Sequence, residues 1–210
     1  MQSVVVYESM YGNTHLIADA IAKGLATYGE VHVMPVAKAD QARIADADLV
    51  VVGGPTHVHG MSRPSTRKAA IGAAEKPGSD LHLDPDADGT GLKEWFAAMD
   101  GTTGCAAAYD TRAPGPEVLT GRASKRIGRL LRQRGFTLLV EPESFIVTRN
   151  NHLEPDEMRH ARSWGLELGA IFTQRQLQRS VEQLASKRRR AVRPSRSPDA
   201  PATEPLTRSR

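Results

Sequence analysis

Apolar, β-branched runs recur along the chain at residues 4–7, 31–34, 49–52, 105–109 and, less cleanly, 137–140. Between most of these runs the apolar positions fall three and four apart, the spacing of a helix with one buried face. Residues 13–28 place Leu16, Ile17, Ala20, Ile21, Gly24 and Leu25 on one side. Residues 121–134 turn Ile127, Leu130 and Leu131 inward, and residues 155–172 repeat the spacing through Met158, Ala161, Gly165, Leu168 and Phe172, as a closing helix should. Strands that are apolar throughout belong in a sheet covered on both faces, and their alternation with helices makes that sheet parallel. The expected fold is α/β, a doubly wound sheet of five parallel strands with helices on both faces.

Charge divides the chain in two. Residues 1–174 carry 18 basic against 21 acidic side chains, whereas residues 175–210 carry ten against three. The formal charge of +4 is therefore a property of the C-terminal segment. That segment holds Lys187-Arg188-Arg189-Arg190 and then a Pro/Ser-rich stretch, so it buries too little apolar surface to offset its ordering entropy and is expected to be a disordered tail. A basic arm of this kind can attract nucleic acid, an anionic membrane or an acidic protein nonspecifically. The helix at 121–134 also turns Arg122, Lys125, Arg126, Arg129, Arg132 and Arg134 outward, which reads as a solvated basic face. The single cysteine, Cys105, lies in an apolar strand and excludes an intrachain disulfide. With no apolar stretch of membrane-spanning length and no signal-peptide pattern, a reduced, cytoplasmic protein is expected.

The chemistry gathers where strands end. The first run feeds Glu8-Ser9-Met10-Tyr11-Gly12-Asn13-Thr14 and then a helix. A helix start presents unpaired N–H groups and the positive end of its dipole, so a phosphate placed there meets ready donors. Ser9, Asn13 and Thr14 add side-chain donors, and Gly12 permits close approach or a positive φ. The stretch resembles the signature of the flavodoxins, the FMN-binding electron carriers: an apolar pair (Val5, Val6), Tyr7, Ser9, Gly12 and Thr14, then Ala18 and Ile21 on the helix. Tyr11-Gly12-Asn13-Thr14 keeps three of the four residues of the Thr-Gly-Asn-Thr loop usual in that family. The strand following residue 49 runs into Gly53-Gly54-Pro55-Thr56-His57-Val58-His59-Gly60, which is similar to the Gly-x-Pro-Thr loop of flavodoxin-like proteins and FMN-dependent quinone reductases.

The resemblance implies the strand order 2-1-3-4-5, with the ligand crevice at the carboxyl ends of strands 1 and 3 where the winding reverses. It implies noncovalent FMN, with the phosphate on Ser9–Thr14 and the ribityl chain and ring bordered by Pro55, Thr56, His57, Val58, His59 and Gly60. Tyr109, Asp110, Thr111 and Arg112 close the far edge, Tyr109 by stacking and the others by polar contact. His57 and His59 titrate near neutrality and are the candidates to deliver a proton to a reduced substrate. The expected function is electron transfer with a protein redox partner. Two alternatives stay open: an FMN-dependent reductase taking hydride from NAD(P)H to a quinone or similar acceptor, as an oligomer in some cases, and a flavin-fold binding protein whose basic tail does the work. The second loop lacks the tryptophan common in electron-carrying flavodoxins, which leaves room for a substrate over the ring. Asp84-Pro85-Asp86-Ala87-Asp88-Gly89 copies the start of an EF-hand loop, but its twelfth position is Trp95, so a surface insertion rather than a calcium site is expected. No metal is assigned.

Overall fold

Val4, Val5 and Val6 are completely or almost completely buried, which requires cover on both faces of their strand. In the computed structural model, which describes residues 1–57 and 60–191, β1 (Gln2–Tyr7) is central. It pairs in parallel with β2 (Glu30–Pro35) and with β3 (Leu49–His57), and β3 pairs in parallel with β5 (Gly104–Arg112). The order β2-β1-β3-β5-β6 is the doubly wound order expected from the resemblance, since β4 (Gly60–Met61) is only a two-residue antiparallel return on the end of β3.

The period-2 alternation of strand side chains divides the core into two layers. Val4, Val6, Val50, Val52, Ala106 and Ala108 face α4 (Leu92–Ala98) and α6 (Ala123–Gln133), packing on Phe96, Ile127 and Leu131. Val5, Tyr7, Val51, Cys105, Ala107 and Tyr109 face α1 (Asn13–Leu25) and the start of α7 (Glu157–Ala191), packing on Ile17, Ile21, Trp164 and Leu168. Helices α2 (Gln41–Ala45) and α3 (Pro64–Ala74) add Ile44 and Ala70 to the cover, while the short α5 (Glu117–Thr120) buries none of its residues. The α1 and α7 helices touch backbone to backbone: a Cβ on Gly24 would lie 2.2 Å from the Arg162 carbonyl oxygen, and one on Gly165 would lie 2.2 Å from that of Ile21.

Two expectations are corrected. The fifth strand, expected at 137–140, is split into β6 (Phe136–Leu138) and β7 (Glu143–Ile146), both parallel to β5. Pro142 lies in the break; it has no N–H to offer a ladder, and its carbonyl is taken by the Arg122 guanidinium. The basic segment is not disordered from residue 175, because α7 runs on to Ala191. Gln, Arg, Leu, Glu, Ala and Lys dominate residues 174–191, all favourable in a helix, and no Gly or Pro interrupts them. Composition argued correctly that this stretch buries little, since Leu177, Val181 and Leu184 are exposed, yet poor burial does not prevent local helix formation. The chain divides into compact units at Thr173 and Gln174. Residues 192–210 lie outside the described part of the chain, as do Val58 and His59. No helix among the described residues is long and apolar enough to cross a membrane.

Candidate functional site

At the carboxyl ends of β1, β3 and β5 the chain encloses a crevice of about 280 Å³. Ser9, Met10, Tyr11, Asn13, Thr14, Pro55, Thr56, His57, Thr111 and Arg112 line it, so three strand-end loops distant in sequence converge as expected. The first loop turns at Gly12, whose φ of +87° is costly for any residue with a Cβ. The Gly12 N–H donates to the Ser9 hydroxyl at 3.1 Å, which leaves that hydroxyl's own proton unspent. Thr14 Oγ1 and Thr111 Oγ1 lie 2.7 Å apart; one donates to the other, and the second O–H remains available. The N–H groups of Asn13, Thr14 and His15 open α1 and find no protein acceptor among the described residues.

The loop is braced from outside. Asp84 donates its N–H to the Met10 carbonyl at 2.8 Å and accepts from His15 Nδ1 at 3.1 Å, while the His15 ring stacks on Tyr7 with centroids 4.2 Å apart. The segment that imitates a calcium loop is therefore a buttress for the phosphate-type turn. Among the described residues no cluster of acidic, histidine or cysteine side chains suits a metal.

Several side chains have tasks other than those expected. The Asn13 amide donates to the Asn151 carbonyl and to Asn151 Oδ1, at 2.9 and 3.1 Å, and so ties the β7–α7 loop to α1 rather than projecting a free donor. The Tyr11 hydroxyl donates to the Ala70 carbonyl at 2.9 Å, holding that ring against α3. Tyr109 is fully buried and does not reach the crevice, because strand alternation turns it into the α1/α7 layer, where its ring occupies the space a Cβ on Gly53 would need. Asp110 is buried on the opposite face. Its Oδ2 accepts from Thr56 Oγ1 and from the Ser124 N–H, both at 2.9 Å, and the Thr56 hydroxyl in turn accepts from the Ala123 N–H. Asp110 thus fixes Thr56 and the start of α6 instead of touching a ligand. Gly60 lies on the far side of the β3–β4 hairpin from the crevice.

Burial raises the pKa of Asp110, outweighing the hydrogen bonds from the Ser124 N–H and the Thr56 hydroxyl. Between the ordinary aspartate value and the raised one, the folded protein keeps a proton that the unfolded chain has lost, so this group's contribution to stability falls as pH climbs through that window. Asp110→Asn keeps an acceptor and removes the titration. Urea melts at a series of pH values should show the variant gaining on the parent across that window. Asp110→Ala, which strands two buried donors, should lose about 2 kcal/mol at neutral pH.

His57 is partly buried, and burial lowers its pKa, exceeding the opposing pull of the Glu8 carboxylate and joined by Arg67. At neutral pH its ring is uncharged. Glu8 itself is buried and held by Ser62 and by the Leu92 N–H.

A fourth wall was not foreseen. Val147, Thr148, Arg149 and Asn151 from the β7–α7 loop border the crevice beside Thr111 and Arg112. Nothing short-range marks them, since β7 is only four residues long and half polar; only its pairing with β5 brings them there. Arg112 Nη1 donates to the Gly115 carbonyl at 3.0 Å and to Thr120 Oγ1 at 2.8 Å, while its Nε is buried without a partner among the described residues. A crevice with helix-start N–H groups, two spare hydroxyl protons, Arg149 and an unsatisfied guanidinium nitrogen is built to receive an anion with further polar groups behind it.

A family model described as Flavodoxin matches residues 5–94, the part of the chain that carries the first two loops. No curated protein matches the sequence. Among solved structures, the chain is similar to a flavodoxin from the domain Archaea, with 18% identity and a TM-score of 0.57 over 82% of this chain and 99% of that one. Flavodoxin 2 from Bacillus cereus follows at 17% identity and a TM-score of 0.55, over 83% of this chain and 99% of that one. Flavodoxin 1 from the same organism gives 19% and 0.54, over 83% and 98%. At such identities the likeness is one of fold, and at 82–83% of this chain it extends beyond the end of the sequence match. The chain therefore has the flavodoxin-like fold, and its residues 5–94 match the Flavodoxin family model.

Proposed function

We propose that the crevice binds FMN noncovalently and that the protein serves in electron transfer. The observation that carries this reading is the α1 start: a left-handed Gly12 turn, uncommitted N–H groups and spare Ser9 and Thr14/Thr111 hydroxyl protons, all facing one crevice. In this reading Ser9, Gly12 and Thr14 hold the phosphate, Thr56 and Thr111 stand along the ribityl chain, and Arg112 and Arg149 supply positive charge at the rim. FMN, when bound, supplies reversible one- and two-electron chemistry. The protein's part is to anchor the cofactor and to set its surroundings. Asp110 does so at one remove, by orienting Thr56 and the start of α6. Because His57 is neutral at pH 7, it favours an uncharged ring environment on its side of the crevice.

The test is an absorption spectrum of the purified protein, with the chromophore identified by chromatography after heat release. Two oxidised-flavin bands and FMN in the supernatant are expected. A colourless protein that also leaves the fluorescence of added FMN unquenched would overturn the proposal. Steady-state NADPH oxidation with a quinone then separates a carrier from a reductase, since a carrier shows almost none.

A further inference from the structure

On the other side of the β3–β4 hairpin from the crevice lies a groove of about 770 Å³, within the size range of small-molecule sites. The two share only His57. Six cations border the groove: Arg63 at the start of α3, Lys93 on α4, Arg122 just ahead of α6, and Lys125, Arg126 and Arg129 on one face of that helix. One carboxylate, Glu117, lies among them. It is ion-paired with Lys125 at 2.6 Å and approaches Arg122 at 4.0 Å.

The other four cations have no acidic partner among the described residues. The carboxylates nearest Lys93 are engaged elsewhere, Glu94 with Arg67 and Glu8 with Ser62 and Leu92. The pKa of Lys93 is lowered, first by burial and then by the positive charges of Arg63 and Arg126. Those two arginines belong to opposite walls, so the charges converge on a common space. Residues 1–174 carry more acidic than basic side chains, so this concentration is not the average of the surface. Like charges gathered without counter-charge oppose folding and are relieved by a bound anion. The α6 face reads in sequence as solvated, but α3 and α4 wall it into a concave, multiply charged site.

We propose that the groove between α3, α4 and α6 binds a small molecule carrying a diphosphate. A diphosphate spreads enough negative charge to meet cations from both walls at once, as a single carboxylate does not, and the concavity suits a small ligand better than a protein surface. This inference does not rest on FMN occupying the neighbouring crevice.

The experiment is isothermal titration of the full-length protein at low ionic strength with inorganic pyrophosphate and with ADP. Both carry the diphosphate, and only ADP adds a nucleoside. The Lys93→Gln/Arg126→Gln double variant should weaken pyrophosphate binding at least tenfold while its melting temperature and FMN affinity stay as in the parent. Thr14→Val in the crevice and Lys187→Gln/Arg188→Gln in the last helix should leave pyrophosphate binding intact. Tighter binding of ADP than of pyrophosphate assigns the site to a nucleotide, and equal or weaker binding assigns it to a free oligophosphate. The proposal fails if neither probe binds, or if affinity survives the groove substitutions and is lost with either of the other two variants. A protein that ignores FMN yet loses pyrophosphate affinity in the groove variant keeps this inference and sinks the previous one.

Discussion

Replacing Gly165 with alanine should lower the free energy of unfolding by about 3 kcal/mol, at the upper end of the usual cost of overpacking. The new Cβ would meet the Ile21 carbonyl oxygen at 2.2 Å, and the Ile21 Cα and carbonyl carbon at 3.1 and 3.0 Å. These are backbone atoms in the middle of α1, so no side chain can rotate away; the two helices must separate. Separation loosens the layer in which Ile17, Ile21, Trp164 and Leu168 cover the sheet. For a domain of this size the loss corresponds to about 9 °C in melting temperature. Urea unfolding checks it, and a midpoint that moves at constant slope identifies a pure stability change. Gly24→Ala should behave alike, since its Cβ would meet the Arg162 carbonyl at 2.2 Å. The double variant should cost less than the sum, because one separation of the helices relieves both contacts. A Gly165→Ala protein as stable as the parent would falsify the close backbone packing of α1 on α7.

Gly12→Val should weaken FMN binding about a hundredfold, or roughly 2.7 kcal/mol, while costing less in stability than Gly165→Ala. A Cβ on Gly12 meets nothing within 4 Å, so packing is not the obstacle. The obstacle is the φ of +87°, which a β-branched residue holds only with strain of about 1–3 kcal/mol. Relief of that strain rotates the turn, withdraws the Gly12 N–H from Ser9 Oγ and re-aims the first N–H groups of α1. The bulk of valine then also stands where a phosphate must approach. Quenching of FMN fluorescence reads the affinity. Parent-like quenching by the variant would place the phosphate elsewhere and remove Gly12 from the site.

The order of elements was legible because each apolar run is long enough to be a buried strand and each helix repeats its apolar spacing over several turns. The first two loops were legible for a related reason: Ser9–Thr14 and Pro55–His57 follow directly on such strands, so their position at the crevice follows from topology. Reading became unreliable one strand further on. Tyr109, Asp110, Thr111 and Arg112 are consecutive, yet alternation sends Tyr109 into one layer and Asp110 into the other, and only the last two border the crevice. Which residue of a strand is its last buried one depends on how far the neighbouring strands extend, and β7 extends β5's pairing through Arg112.

The amino-acid sequence by itself determined the parallel α/β architecture, the glycine turn at the start of α1 and the concentration of positive charge toward the C-terminus. These rest on local periodicity, on backbone preferences and on composition, all of which are properties of neighbouring residues. Only the tertiary structure decided that Asn151 holds Asn13, that Asp110 braces Thr56, that Arg149 borders the crevice, and that Arg63 and Lys93 face the basic side of α6. Each of those relations joins residues far apart in the chain, up to 138 positions for Asn13 and Asn151, brought together by strand pairing and helix packing rather than by any local preference.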